Sequence, residues 1–149
     1  MSDNSETNEL LERLLACGSP SDVAELLSKL PPEWHEKRTG VYLSSVNGSE
    51  PWLGYEFLVW SLGEAFRLAI AKRRPWRQHA AIWDAIEQLV KNTDFGRGRQ
   101  PYLALLARYA SPRADETIVA ALDDPELAGY AIEAARIASI RSVGAKVRE

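Results

Sequence analysis

The chain has one cysteine, Cys17, and two histidines, His35 and His79, among 149 residues. A single cysteine excludes an intrachain disulfide, and with two histidines beside it a closed zinc site would need carboxylates to complete it. No metal and no cofactor is expected. The first residues, MSDNSET, are acidic and polar where a secretory signal carries a basic stretch and then an apolar run, so a cytoplasmic location is expected. Long uncharged apolar runs are also missing. Trp52 to Ala71 has nearly the length of a membrane span, but Glu56, Glu64 and Arg67 interrupt it, and each such charge opposes insertion. This stretch reads as a buried helix, with no membrane partner.

Strand signals are scarce. Gly40 to Gly48, GVYLSSVNG, is the one segment that suits a strand and turn, and nothing nearby is patterned to pair with it. Asn47-Gly48-Ser49 matches a glycosylation acceptor but reads as a turn. Catalytic signatures are missing too. No serine or cysteine stands in a nucleophile motif, and Asp94 to Gln100, DFGRGRQ, lacks both the kinase catalytic loop and the Walker lysine. That segment reads as a flexible interhelical loop. Cys17 precedes Gly18 at a helix end, where the helix dipole raises a thiol's pKa and packing is the plain role. On a helix from Pro75 to Lys91, His79 falls among Ile82, Trp83, Ile86 and Val90, about 140° from Asp84, so the two do not form a dyad there.

What the chain does have is ordinary globular composition, 46% hydrophobic and 26% charged, sufficient for one domain with its own core. The net charge of −3 is unevenly placed: residues 1–70 carry −6, residues 71–113 carry +6 and residues 114–149 carry −3. Such asymmetry serves internal pairing or a charged partner.

The chain also repeats itself. ARYASPR from Ala107 and ARIASIR from Ala135 share five of seven letters at an offset of 28, and Tyr102 and Tyr130 keep that offset. With short gaps, Leu14 to Leu30 aligns with Leu105 to Leu122 through Leu-Leu-Ala, Ser-Pro and a closing Leu. Self-similarity on this scale is the mark of stacked helical units. Ser19-Pro20, Ser111-Pro112 and Asp124-Pro125 each place a capping side chain before a proline suited to the first helical turn. An amphipathic helix is expected over Pro125 to Ser139, and Ala128, Ala131, Ala134, Ala135 and Ala138 let a neighbour approach closely.

The run LDDPELAGYAIEAARIASIRSVGAKV, with its Asp-Pro-Glu start, Ala-rich first helix and short second helix, resembles a HEAT-like repeat of the kind found in bilin-lyase-related proteins. The likeness is clearest over the last 48 residues or so, weaker over the first 30, and the final copy departs from the pattern by its short, glycine-bearing second helix. The resemblance implies an all-α fold, a short HEAT-like solenoid of eight or nine helices in antiparallel pairs. Residues 1–8 read as a frayed tail, 9–32 as a first helix pair, 33–98 as divergent central helices including Trp52 to Lys72, and 99–149 as two repeats. Such stacks commonly bind proteins.

The expected function is therefore a non-enzymatic protein-binding module, such as a small bacterial adaptor or a toxin-neutralising immunity-type protein. Trp52, Glu56, Trp60, Glu64 and Arg67 share an arc of about 120° on the central helix, a composition suited to a binding hot spot. The opposite face, with Leu58, Leu62, Ala65, Phe66 and Ala69, serves the core. Arg73, Arg74 and Arg77 form a basic cluster, and Arg108 and Arg136, with Arg113 and Arg141, recur at equivalent repeat positions. Arg113 has Asp115 and Glu116 within reach for local pairing. The rival reading is nucleic-acid binding in the manner of HEAT-like DNA glycosylases, which requires Arg73, Arg74, Arg77, Arg97 and Arg99 to share an uncompensated surface. A third is an enzyme with His79 in a pocket. An open repeat end also leaves a homodimer possible, and the sequence does not decide it.

Overall fold

A computed structural model describes the backbone of residues 2–37, 42–46 and 50–139, and the side chains of residues 6–37 and 55–139. The helix expected within residues 140–149, Arg141 and the turn at Asn47 to Ser49 lie outside the described residues. The fold is all-α in class. Seven α-helices are described: α1 (Ser2–Leu15), α2 (Pro20–Glu36), α3 (Gly54–Lys72), α4 (Ala80–Lys91), α5 (Gln100–Tyr109), α6 (Asp115–Ala121) and α7 (Ala128–Ala138). Two 3-10 segments, Arg74–Gln78 and Thr93–Arg99, precede α4 and α5. No described helix is long and apolar enough to cross a membrane.

Helix α1 begins at Ser2, so the polar start is helical where a frayed tail was expected. The break before α2 follows its sequence signal: Ser19 is the N-cap, its side chain accepts from the Asp22 N–H at 3.3 Å, and Pro20 takes the first turn. The central helix corrects the sequence reading. It starts at Gly54, because Glu50–Leu53 forms a strand, β2, antiparallel to β1 (Tyr42–Val46), with Leu43 opposite Trp52. The partner that GVYLSSVNG lacked on paper is therefore EPWL. Pro51 biases Glu50 toward extended backbone and is tolerated in a two-stranded ribbon, where each strand has a free edge.

The helix expected from Pro75 to Lys91 is likewise divided. His79 is extended (φ −89, ψ 106), and α4 starts only at Ala80. The Arg77 carbonyl, which a continuous helix would have used, accepts instead from the Trp83 indole N–H at 2.8 Å. Ser111-Pro112 does not open α6, whose N-cap is Ala114; Ser111 Oγ donates to Asp115 Oδ1 at 2.9 Å from a turn. Asp124-Pro125 does precede a helical turn: Asp124 Oδ1 accepts from the Glu126 N–H at 2.9 Å and its carbonyl from Ala128 N–H at 2.8 Å, although regular helix begins at Ala128.

Packing skips along the chain. The most extensive helix contacts join α1 to α3, α2 to α4 and α5 to α7, with α2 on α3 and α6 on α7 next. At Gly63 a Cβ would lie 2.7 Å from Pro101 Cγ and 3.0 Å from the Tyr102 ring, so the glycine sets how closely α5 lies on α3. There Tyr102, fully buried, donates its hydroxyl to the Val59 carbonyl at 2.6 Å. One core runs through the helices, from Leu10 and Leu14 through Leu62, Phe66, Ile86 and Leu106 to Ala134 and Ala135. The core face of α3 is as the periodicity predicts, with Leu62, Ala65, Phe66 and Ala69 fully buried and Leu58 half-buried, but the opposite face is not left open: Glu56 is buried and Trp60 half-buried. Arg113 does not pair locally. It reaches across to Asp84 and Glu87 on α4, with Nε 3.2 Å from Glu87 Oε2, and Thr117 Oγ1 donates to the same carboxylate at 2.6 Å.

Candidate functional site

The segment that read as a flexible loop, Asp94 to Gln100, is largely buried and tied in by hydrogen bonds. The Asn92 side chain caps it by accepting from Asp94 N–H at 3.0 Å, and Phe95, Gly96, Gly98, Arg99 and Gln100 are all buried. Gly96 adopts φ 50, ψ −132, a conformation that strains residues with a Cβ. A Cβ there would also sit 1.8 Å from Glu56 Oε2, and one on Gly98 would sit 2.6 Å from the Glu56 carbonyl. The two glycines let the start of α3 close directly onto this segment, where the Arg97 backbone N–H donates to Glu56 Oε2 at 3.1 Å.

Arg99 anchors the segment from inside. It is 1% exposed. Nε donates to the Gly96 carbonyl at 2.8 Å, Nη1 to the Val90 carbonyl at 3.0 Å and to Asp124 Oδ2 at 2.8 Å, while Nη2 lies 3.5 Å from Glu126 Oε1. One guanidinium thus joins the end of α4, its own turn and the α6–α7 connection, with its charge neutralised chiefly by Asp124.

Beside it opens a cleft of about 510 Å³ lined by Glu56, Arg97, Gln100, Pro125, Glu126, Gly129 and Tyr130. Gln100 Nε2 donates to the Glu126 carbonyl at 3.3 Å. Tyr130 is 52% exposed, although its repeat counterpart Tyr102 is fully buried. A smaller cleft of about 180 Å³ lies on another side of Arg99, lined by Val90, Thr93, Thr117 and Asp124 among others.

Of the central-helix stripe, the cleft includes Glu56 alone, and that residue is buried. Trp60 is half-buried, its ring stacked at 6.1 Å on Phe57, and Glu64 pairs with Arg67 at 3.2 Å. Trp52 belongs to β2, and its side chain lies outside the described residues. Arg73, Arg74 and Arg108 are exposed. Arg77 lies 4.8 Å over the Tyr109 ring, and Arg136 pairs with Glu133 at 3.2 Å within its own helix. Of the five arginines that nucleic-acid binding would need on one surface, Arg99 is interior and ion-paired, while Arg73 and Arg74 are exposed. His79 is at the α4 cap, apart from both clefts, and its former neighbour Asp84 takes Arg113. Among the described residues no three His, Cys, Asp or Glu side chains are placed to hold a metal ion. The Cys17 thiol is pushed up from its ordinary range, first by burial and then by the Asp22 carboxylate, with Arg13 opposing. That is the expected direction, from a different cause.

Gln100, Glu126 and Tyr130 were not singled out as site residues by sequence reasoning. The paired glycines of FGRG were the available signal for a close approach, and Tyr130 was visible as a repeat position without its exposure. No family model, curated protein or solved structure matches the chain.

Proposed function

We propose that the chain is a non-enzymatic protein-binding module, a short HEAT-like stack whose α7 end meets the partner. The observation that carries this reading is the distribution of exposed apolar groups. Among the described residues the large exposed hydrophobic side chains are Tyr130, Ile132 and Ile137, at 52, 41 and 39%, and all three belong to one helix of eleven residues. Tyr130 and Ile137 lie within about 20° of each other on α7, beside the cleft, while Ile132 stands on the other side of the helix; neighbouring exposed apolar groups such as the first two mark an interaction surface, whereas scattered ones need no explanation. The contacts of α1 with α3, α2 with α4 and α5 with α7 support alternate helices lying against each other, as stacking requires, although α1 with α2 and α3 with α4 touch little. An adaptor or toxin-neutralising role suits such a surface.

The test is affinity capture from a native lysate with nuclease treatment, using the wild-type chain, Tyr130→Ala, Ile137→Ser and Trp60→Ala. A stoichiometric protein partner is expected with the wild type and lost with the two α7 variants, whose melting temperatures stay within about 2 °C because their targets are surface groups. Trp60→Ala is the control outside the α7 surface: with its ring stacked on the buried Phe57, it is expected to lower the melting temperature and leave capture in place. Capture that depends on nucleic acid, or that ignores α7, refutes the reading.

A further inference from the structure

We propose that the cleft between the start of α3, the 93–99 segment and α7 seats an arginine side chain of the partner protein. This rests on the binding-module reading and adds its chemistry. The charge at the cleft favours a cation. Two carboxylates, Glu56 and Glu126, line it against one guanidinium, Arg97. Beside it Arg99 takes its close ion pair from Asp124 at 2.8 Å, while Glu126 stands at 3.5 Å with a side chain 44% exposed. Arg99 is therefore neutralised mainly by Asp124, and Glu126, whose Oε1 lies 3.5 Å from Arg99 Nη2, also lines the cleft. An anion entering the same space would meet both carboxylates.

The walls favour a planar cation over a compact one. Tyr130 lines the cleft and is half exposed, and Gly129 beside it in sequence carries no side chain to fill the space there. A guanidinium stacks on an aromatic face and offers a two-pronged donor set to a carboxylate; an ammonium does only part of this. With its amide nitrogen engaged at the Glu126 carbonyl, Gln100 keeps its amide oxygen as a further acceptor. The cleft, at about 510 Å³, is within the range of small-ligand sites. A macromolecular source for the arginine is favoured by Ile137, exposed on the same side of α7 as Tyr130 and about two turns further on, beyond the reach of one side chain.

The experiment titrates isotope-labelled protein with N-acetyl-arginine amide and, separately, with the neutral near-isostere N-acetyl-citrulline amide, following the backbone amides of Gln100, Gly129 and Tyr130 by NMR. Saturable shifts are expected with arginine, with affinity at least about fivefold weaker for citrulline and at least about fivefold weaker for arginine on Glu126→Gln. Tyr130→Leu, which keeps an apolar side chain and removes the π face, weakens arginine in the same direction. Absence of saturable shifts with arginine, or an equal response to citrulline, overturns the proposal. Failure here is distinguishable from failure of the module reading. A captured partner that survives Glu126→Gln but not Ile137→Ser removes the arginine seat alone, whereas a chain that captures no partner loses the module reading while the titration still decides the cleft.

Discussion

Replacing Arg99 by methionine tests the interior anchor. The substitution keeps most of the side-chain volume, so cavity formation contributes little, but it removes the donors to the Val90 and Gly96 carbonyls and the cation facing Asp124. Breaking a buried ion pair from one side costs about 3–5 kcal/mol, because the remaining charge is left without compensation. The Asp124 side chain is 19% exposed, and water reaching it places the expected loss toward the lower half of that range. Against a total of about 5–15 kcal/mol this is a large fraction, equivalent to roughly 10 °C in a chain of this size. Urea unfolding, followed by helical circular dichroism and by tryptophan fluorescence, measures it. A double-mutant cycle with Asp124→Asn should return a coupling of about 2 kcal/mol. A methionine variant within about 1 kcal/mol of the wild type, or a coupling under about 0.5 kcal/mol, would refute the assignment of Arg99 as an anchor.

Gly96→Ala is expected to cost about 2 kcal/mol or more, from positive φ and from the encounter with Glu56 Oε2, whereas Gly129→Ala, in open space on α7, should stabilise by roughly 0.5 kcal/mol; chemical denaturation separates the two signs. Burial, with the Glu64 charge second, holds the Tyr102 hydroxyl well above its usual pKa of 10.0, so the folded chain retains that proton where the unfolded chain releases it. Stability from this residue is complete below pH 10 and lost as pH rises above it, by at most about 1.4 kcal/mol per unit, and Tyr102→Phe should flatten that part of the alkaline profile. Cys17 should alkylate more slowly at pH 8 than an unstructured cysteine peptide, and Asp22→Asn should quicken it by about twofold; an unchanged rate would show that the carboxylate does not act on the thiol.

Local chemistry was legible wherever a residue acts on its own neighbours. Ser19-Pro20 starts α2, the 3.6-residue pattern gives the buried face of α3, and the alanines of α7 mark a packed helix. The errors share another origin, in partners distant along the chain. EPWL reads as the start of a helix until β1 supplies the strand beside it, and Arg113 has acidic neighbours at hand yet pairs across to Asp84 and Glu87. Arg99 carries the same letter as the surface arginines, and composition cannot distinguish an interior guanidinium whose acceptors come from residues 90, 96 and 124. The cleft was hidden for the same reason, because its carboxylates are seventy residues apart. The repeat pointed to Tyr130 but suggested the environment of Tyr102, and repeat register does not carry burial from one copy to the next.

The alternation of contacts, α1 with α3 and α2 with α4, has a consequence for how the chain leaves the ribosome. The apolar positions of α1, Leu10 and Leu14, find their main cover in a helix that ends at Lys72. At ordinary elongation rates the first helix therefore waits roughly 3–11 s for the third, exposed to any chaperone that reads short apolar stretches. Synonymous changes that slow translation between residues 16 and 72 would lengthen that interval and lower the soluble yield without altering a single side chain.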